Sequence, residues 1–413
     1  MQLTHLVVLG FMLSLFIPHD ATAKPFTAMY VIGDSLSDQG NLFNATETLT
    51  GLGLPAADHY YQGRFSNGEV CAGFLAERMG LGLAATAIGG TNYAYGGART
   101  EYNVVENPPT EGGFLPGLYP WTLDLERQAF AADGVNDPRG LYVLFSGSND
   151  LADLIGFALV SGFDAAGAAV DGVVQGAEEI IEAYVAAGAR DILVPNVPDM
   201  GLVPHVAGMD PLPGMPADST LVSDTATALS VRYNTALDEM LMQFNGVNII
   251  RFDTFSLVRK MANNPAAYGL TNVTAPCYTG FVDPARPNDT VCSTPETYLF
   301  WDYEHPTTTV HALLAERMLA ALANGLLRDF AREVGSMDLD RSEADSLRTV
   351  IANARNLLAD GKEQNDGAVL VLLHAFTVKV EALRGILIPA EEADALLARA
   401  RQITELVEAM ERS

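Results

Sequence analysis

The sequence predicts an α/β protein: a doubly wound domain on a parallel sheet, followed by a small bundle of three helices. Two textures carry that reading. From Lys24 to about Val334, short β-rich runs alternate with longer helical patterns and Gly/Pro/Asn loops, as βα units on a parallel sheet do. Beyond Gly335 glycine and proline thin out, strand signals vanish, and apolar residues recur at helical spacing only.

The first element reads as a leader. Leu6 to Ile17 form an almost unbroken apolar run that ends at Pro18 and is followed by Ala21-Thr22-Ala23, the pattern of a secretory signal cleaved after Ala23. The run is well under the ~20 residues that span a bilayer, and no later stretch is expected to qualify. No Lys or Arg precedes it, so a buried first strand or helix is the competing reading. The expected division is therefore a leader over residues 1–23, a first domain over 24–334 and a helical bundle over 336–413. Candidate strands are Ala28–Ile32, Leu141–Phe145, Asp191–Pro195 and Asn248–Phe252, with an Ala-rich helix over Asp164–Ala187 between two of them and another over Thr308–Leu322.

In the tail, apolar stripes define the three helices. The first carries Leu347, Val350, Ile351, Ala354, Leu357 and Leu358 and ends near Gly361. The second carries Val369, Leu372, Leu373, Phe376, Val380 and Leu383 and stops at Gly385. The third follows Pro389 and carries Leu396, Leu397, Ala400, Ile403, Leu406, Val407 and Met410. The stretch from Leu373-His-Ala-Phe to Leu406 resembles the helical module called FIMAH, found on bacterial exported proteins. It holds no catalytic pattern, and His374 reads as structural.

Charge excludes several partners. With 24 basic against 51 acidic residues and a formal charge of −27, the chain repels phosphate backbones and anionic lipid surfaces, so nucleic acid is not an expected partner. Of the three cysteines, Cys277 and Cys292 lie in a Pro/Asn/Asp/Thr-rich loop, where a disulfide is the first choice and two free thiols the alternative. Cys71 sits in a helical pattern and reads as a small buried apolar residue. No Cys/His cluster has zinc spacing, and no metal or cofactor is expected.

The strand Ala28-Met-Tyr-Val-Ile runs directly into Gly33-Asp-Ser-Leu-Ser-Asp-Gln-Gly-Asn41, which places Ser35 at the carboxyl edge of the sheet just before the chain turns into a helix. There its hydroxyl can be exposed while its backbone N–H faces the reacting centre. Ser37 and Asp38 read as helix caps. A serine nucleophile needs a base oriented by a third group. Of the seven histidines, His5 and His19 belong to the leader and His374 to the tail; His311 reads as a surface residue of its helix, and His59 and His205 have no acidic residue placed to orient them at short range, a long-range partner being the alternative. In Trp301-Asp-Tyr-Glu-His-Pro-Thr307, by contrast, Asp302 precedes His305 by one helical turn's spacing, and Pro306 biases His305 towards an extended loop. Asp302 can fix the imidazole tautomer and leave the other nitrogen to take the Ser35 proton. Glu304 is expected to face solvent.

Attack on an ester creates an oxyanion, and each donor aimed at it lowers the barrier by about 2.7–4 kcal/mol. Thr91-Asn-Tyr-Ala-Tyr-Gly-Gly-Ala98 offers the backbone N–H of Gly97, and Ser146-Gly-Ser-Asn-Asp150 offers the amide of Asn149. Either segment alone reads as an ordinary turn. Together with Ser35, each follows a predicted strand, and open parallel sheets bind ligands outside the carboxyl ends of their strands.

These four blocks, Gly33-Asp-Ser-Leu-Ser-Asp, the segment ending in Gly97, Gly147-Ser-Asn149 and Asp302-x-x-His305, resemble the GDSL, or SGNH, family of ester hydrolases over about Phe26 to Leu322. Gly63-Arg-Phe-Ser-Asn-Gly68 and Pro195-Asn-Val-Pro-Asp-Met-Gly201 are similar to its subgroup of secreted lipases, haemolysin-like phospholipases and acyltransferases, whereas Cys71 stands where that family often carries a large aromatic. The resemblance implies a flavodoxin-like sheet, no metal, Ser35 as nucleophile and oxyanion donor, Gly97 and Asn149 as further donors, and Asp302 and His305 as the acid–base pair. It implies a small-molecule or lipid ester as substrate, with water or an alcohol as acyl acceptor. A non-catalytic exported binding protein, attached through the helical bundle, is the reading from a different class.

Overall fold

In the computed structural model, which describes residues 24–100, 122–359 and 367–411, four short runs pair as one parallel sheet: β1 (Met29–Gly33), β2 (Leu141–Phe145), β3 (Asp191–Pro195) and β4 (Asn248–Phe252), in the order β1-β2-β3-β4. Every residue of β2 and β3 is buried, the pattern of strands covered on both faces. On the free side of β1 the segment 91–95 continues the sheet: the Val31 N–H donates to the Thr91 carbonyl, and the Tyr93 and Tyr95 N–H groups donate to the Val31 and Gly33 carbonyls. The chain thus moves from β1 to one side and then crosses to β2 on the other. A flavodoxin-like order with its topological switch beside β1 results, and such switches open a crevice at the carboxyl ends of the strands.

The remaining helices are α1 (Asn41–Thr50), α2 (Cys71–Arg78), α3 (Leu123–Ala132), α4 (Ser148–Ser161), α5 (Phe163–Ala186), the single turn α6 (Pro204–Ala207), α7 (Leu221–Leu241), α8 (Thr254–Asn263) and α9 (Thr308–Ser336). Of these, α3, α5 and α7 form one layer on the sheet, and α2 and α9 the other. A small two-stranded sheet, β5 (Asn272–Pro276) and β6 (Tyr298–Phe300), leads into α9. Between its strands Cys277 and Cys292 are joined, with Sγ–Sγ 2.01 Å.

Three expectations need correction. The helix expected to end at Leu322 runs on to Ser336, because Leu326, Leu327, Phe330 and Val334 continue its buried stripe. By length and composition it is also apolar enough to cross a membrane, contrary to the reading that no later stretch would be; its apolar side is used in packing against β4, α2 and the tail. His311, expected at the surface, is fully buried, since α9 is covered by α2 on the side that carries it.

Beyond α9 lie α10 (Arg341–Ala359), α11 (Gly367–Leu383) and α12 (Ala390–Glu411). Leu347, Ile351 and Ala354 of α10, Val369, Leu373, Phe376 and Val380 of α11, and Leu396, Ala400, Ile403, Leu406 and Val407 of α12 are the buried positions. They join the same apolar core as the sheet, with α9 supplying a fourth helix to the group and Phe330 meeting Phe376 at 4.8 Å between ring centroids. Arg399 of α12 reaches the amino end of β3, where its guanidinium donates to both Asp191 oxygens at 2.8 and 3.0 Å and to Asp329 at 3.1 Å. The expected leader over 1–23 and the helix stop near Gly361 lie outside the described residues.

Candidate active site

The carboxyl end of β1 is built for close approach. A Cβ at Gly33 would stand 2.6 Å from the Phe145 carbonyl oxygen of β2, so only glycine lets the two strands end level, as their register Gly33↔Phe145 requires. The chain then turns at once, the Asp34 carbonyl accepting from the Ser37 and Asp38 N–H groups. Ser35 is left at the tip, 8% exposed. Asp38, expected as a cap, takes the N–H groups of Gly40, Asn41 and Leu42 at the start of α1 and also that of Gly96 at 2.9 Å, tying the 91–97 segment to the serine turn.

His305 arrives from the far end of the sequence. The loop between β6 and α9 is closed by the Trp301 N–H donating to the His305 carbonyl (2.7 Å) and the Thr307 N–H donating to Leu299 (3.1 Å). The segment 63–68 brackets it: Ser66 Oγ donates to the Pro306 carbonyl, Asn67 Oδ1 accepts from the Thr308 N–H, and Thr308 Oγ1 donates to the Glu69 carbonyl. His305 Nε2 then lies 3.0 Å from Ser35 Oγ, and Nδ1 lies 2.8 and 3.0 Å from the two oxygens of Asp302. An ionised carboxylate only accepts, so Nδ1 carries the proton and Nε2 is left as acceptor for the serine hydroxyl.

Electrostatics favour that assignment. Burial opposes charge on both partners, yet the imidazole and the hydrogen bonds to Asp302 hold its carboxyl below the usual range, and the Asp302 carboxylate raises His305 above the usual histidine value. His311 is the opposite case: burial pushes its imidazole down to about 3, so it stays neutral, and its Nδ1 accepts the Cys71 N–H at 3.2 Å. Cys71 is buried, and burial pushes its thiol up to about 12.

Asn149 lies in the first turn of α4, behind Gly147 at φ 105°. Its side chain donates to the Ala98 carbonyl at 3.1 Å, Asp150 accepts from the N–H and hydroxyl of Thr100, and Arg99 pairs with Asp153 and donates to the Gly97 carbonyl at 2.8 Å. These bonds bolt the Gly97 turn (φ 77°) to the start of α4. Ser35, Asn149 and His305 line one narrow cavity of about 90 Å³, whose walls include Leu36, Phe145, Met200, Val258, Phe300 and Leu314. Gly97 is not among its lining residues. Glu304, exposed as expected, and His205 stand at its edge. Among the described residues no three His, Cys, Asp or Glu side chains are grouped to hold a metal.

Three contributors escaped the sequence reading. Tyr60 Oη donates to Asp302 Oδ2 at 2.5 Å from a segment 242 residues away. Glu126 of α3, buried, accepts the N–H groups of Gly33 and Tyr95 with its two oxygens, at 3.0 Å each, and so holds β1 and its neighbour together at the serine end. Asp34 is buried with Oδ1 on the Leu36 N–H and Oδ2 without a partner, and burial pushes its carboxyl up to about 7. No local pattern marks Glu126, which stands among Asp124, Arg127 and Gln128, and Tyr60 meets Asp302 only through a contact between remote segments.

Comparison with known proteins places the chain in a family. A family model described as GDSL-like Lipase/Acylhydrolase matches residues 29–318. The chain is 26% identical over 319 residues to Thermolabile hemolysin of Vibrio parahaemolyticus, covering 74% of this chain and 66% of that protein. It is 26% identical over 368 residues to Lipase 1 of Photorhabdus luminescens, covering 75% of this chain and 52% of that one. It is also 26% identical over 340 residues to Phosphatidylcholine-sterol acyltransferase of Aeromonas hydrophila, covering 72% and 90%. The chain thus spans about two thirds and about half the length of the first two relatives. With the family model matched across most of its length, the chain belongs to the GDSL-like lipase/acylhydrolase family.

Proposed function

We propose that the chain hydrolyses carboxylic esters by acyl transfer through Ser35. The unbroken hydrogen-bond chain from Ser35 Oγ through His305 to Asp302, all three buried, carries this reading. Ser35 Oγ attacks the ester carbonyl carbon while His305 Nε2 takes its proton, and Asp302 stabilises the imidazolium without itself being protonated. The negative oxygen of the tetrahedral intermediate is met by the N–H groups of Ser35 and Gly97 and by Asn149. Collapse breaks the bond to the alcohol, which leaves with the His305 proton, and an acyl-serine remains. Water, deprotonated by the same imidazole, then releases the acid and restores Ser35.

The apolar walls of the cavity beside Ser35 suit the acyl part of a lipid or short-chain ester. Because one relative is named as an acyltransferase, an alcohol is the alternative acceptor. A series of acetyl to palmitoyl esters and a phospholipid, each with and without a sterol, tests both points. Hydrolysis that depends on Ser35 supports the reading, and equal turnover by Ser35→Ala would overturn it. Ester product appearing only with the sterol would assign transfer instead.

We further propose a catalytic unit over 24–334, exported behind the 1–23 leader, with 336–413 as a helical appendage that mediates attachment or protein contacts. Secretion assays with and without residues 1–23 test the first part. Unchanged surface binding on deletion of 336–413 would refute the second.

A further inference from the structure

We propose that Tyr60 is a positioning residue of this centre, its hydroxyl locking the Asp302 carboxylate against His305. This rests on the reading of Ser35, His305 and Asp302 as catalytic. Asp302 Oδ1 is held by its own loop, accepting from the N–H groups of Glu304 at 2.8 Å and His305 at 2.7 Å. Oδ2 is shared by His305 Nδ1 at 2.8 Å and Tyr60 Oη at 2.5 Å. Tyr60 is therefore the one of these donors that comes from outside the loop. Without it, Oδ2 loses its one tie to the rest of the fold, and the carboxylate and imidazole can shift together, leaving Nε2 less firmly aimed at Ser35. Its own position is well fixed: the ring is 3% exposed and meets Tyr278 edge-on at 6.0 Å, and the following segment is tied through Ser66 to the Pro306 carbonyl. Burial, and then the Asp302 carboxylate, hold the phenol protonated, so it can only donate here.

The bond also sets how hard Asp302 pulls on the imidazole. A buried carboxylate with fewer donors draws more strongly on a neighbouring cation. Losing the phenol hydroxyl therefore favours protonated His305. The other groups facing the pair stay in place. They are Asp34 from the end of β1, Glu304 on the loop itself with His205 and Arg99 acting on it, neutral His311 from α9, and the Tyr278 phenol beside Tyr60.

The test compares Tyr60→Phe, Tyr278→Phe and Ser35→Ala, with rates normalised to the acyl-enzyme burst. Tyr278 loses a buried hydroxyl that has no partner, close to Tyr60 but off Asp302, and serves as the control. Removing a hydrogen bond to a charged group should lower kcat of Tyr60→Phe roughly ten- to hundredfold with KM within about twofold. The acid limb of kcat/KM should move to higher pH, and Tyr278→Phe should match wild type throughout. Wild-type kcat and an unmoved limb in Tyr60→Phe, with Ser35→Ala inactive, would overturn the role of Tyr60 alone. Equal losses in both phenylalanine variants with unmoved limbs would reduce it to packing and overturn it too. Turnover by Ser35→Ala would instead overturn the underlying site. Should Tyr60→Phe not fold, 3-fluorotyrosine at position 60, a stronger donor, must move the acid limb to lower pH; no movement overturns the proposal.

Discussion

The two ends of the sheet are finished differently. At the amino end, Asp191 is 4% exposed in its side chain and fully met by Arg399, which Asp329 shares, so each buried charge has a counter-charge. At the carboxyl end Asp34, Asp38, Glu126 and Asp150 are equally buried, but among the described residues none has an ion pair; they are held by backbone N–H groups and hydroxyls. Burial raises all four, Asp34 to about 7 and Asp38 and Asp150 to about 6. Orphaned polar atoms gather at the same end, including Asp34 Oδ2 and the hydroxyls of Ser146 and Ser148. The amino-end acid is neutralised by a cation, whereas these four acids near Ser35 keep their polarity without one, an arrangement that costs stability and is typical of functional sites.

Variants can break that contrast. The largest effect is expected from Asp302→Asn, which keeps the shape but loses the fixed tautomer; kcat should fall by about 10⁴-fold, the order seen when the same change is made in a serine protease triad, with melting little altered. At the opposite end Arg399→Ala should leave kcat unchanged but cost about 3–5 kcal/mol in chemical denaturation, because Asp191 stays buried without its partner. Loss of activity with no loss of stability in Arg399→Ala would contradict the division of labour. Glu126→Gln replaces one of two acceptors by a donor facing an N–H, so about 1–3 kcal/mol of stability should go and kcat should drop several-fold as β1 loosens.

The smallest effect separates the ends by pH. Asp34, Asp38 and Asp150 keep in the fold protons that the unfolded chain releases near pH 4, so they make stability decline as pH rises from about 4 to 7. His305, raised by Asp302, acts in the same direction, its contribution being lost as pH rises through its folded value. The lowered Asp302 withdraws its contribution only as pH falls through its own folded value, below the ordinary carboxylate range, and so does not oppose them in this window. The melting temperature should be higher at pH 5.5 than at pH 8, whereas turnover should rise with pH as His305 becomes neutral. Parallel profiles would contradict this, and Asp34→Asn should flatten the stability profile alone.

Much of this was legible in the chain. Strands β2, β3 and β4 fall at the bounds expected from short apolar runs between loops, and β1 is displaced by one residue, because Gly33 pairs with Phe145 as part of the ladder. The Gly33-Asp-Ser35 turn and the Asp302-x-x-His305 loop were visible because local chemistry dictates them. Tyr60, Glu126 and the burial of Asp34 and His311 were not, because each depends on which distant segment arrives opposite it, and side-chain period alone does not say that. The length of α9 was missed for a related reason: its second half is apolar on account of the tail helices that pack on it.

In the proposed reaction the Ser35 hydroxyl is the nucleophile. A serine-directed fluorophosphonate followed by peptide mass spectrometry tests it most directly. The adduct is predicted on the peptide carrying Ser35, blocked by ester substrate and absent from an inactive Ser35→Ala. An adduct on another residue, or ester turnover at the wild-type rate by Ser35→Ala, would contradict it.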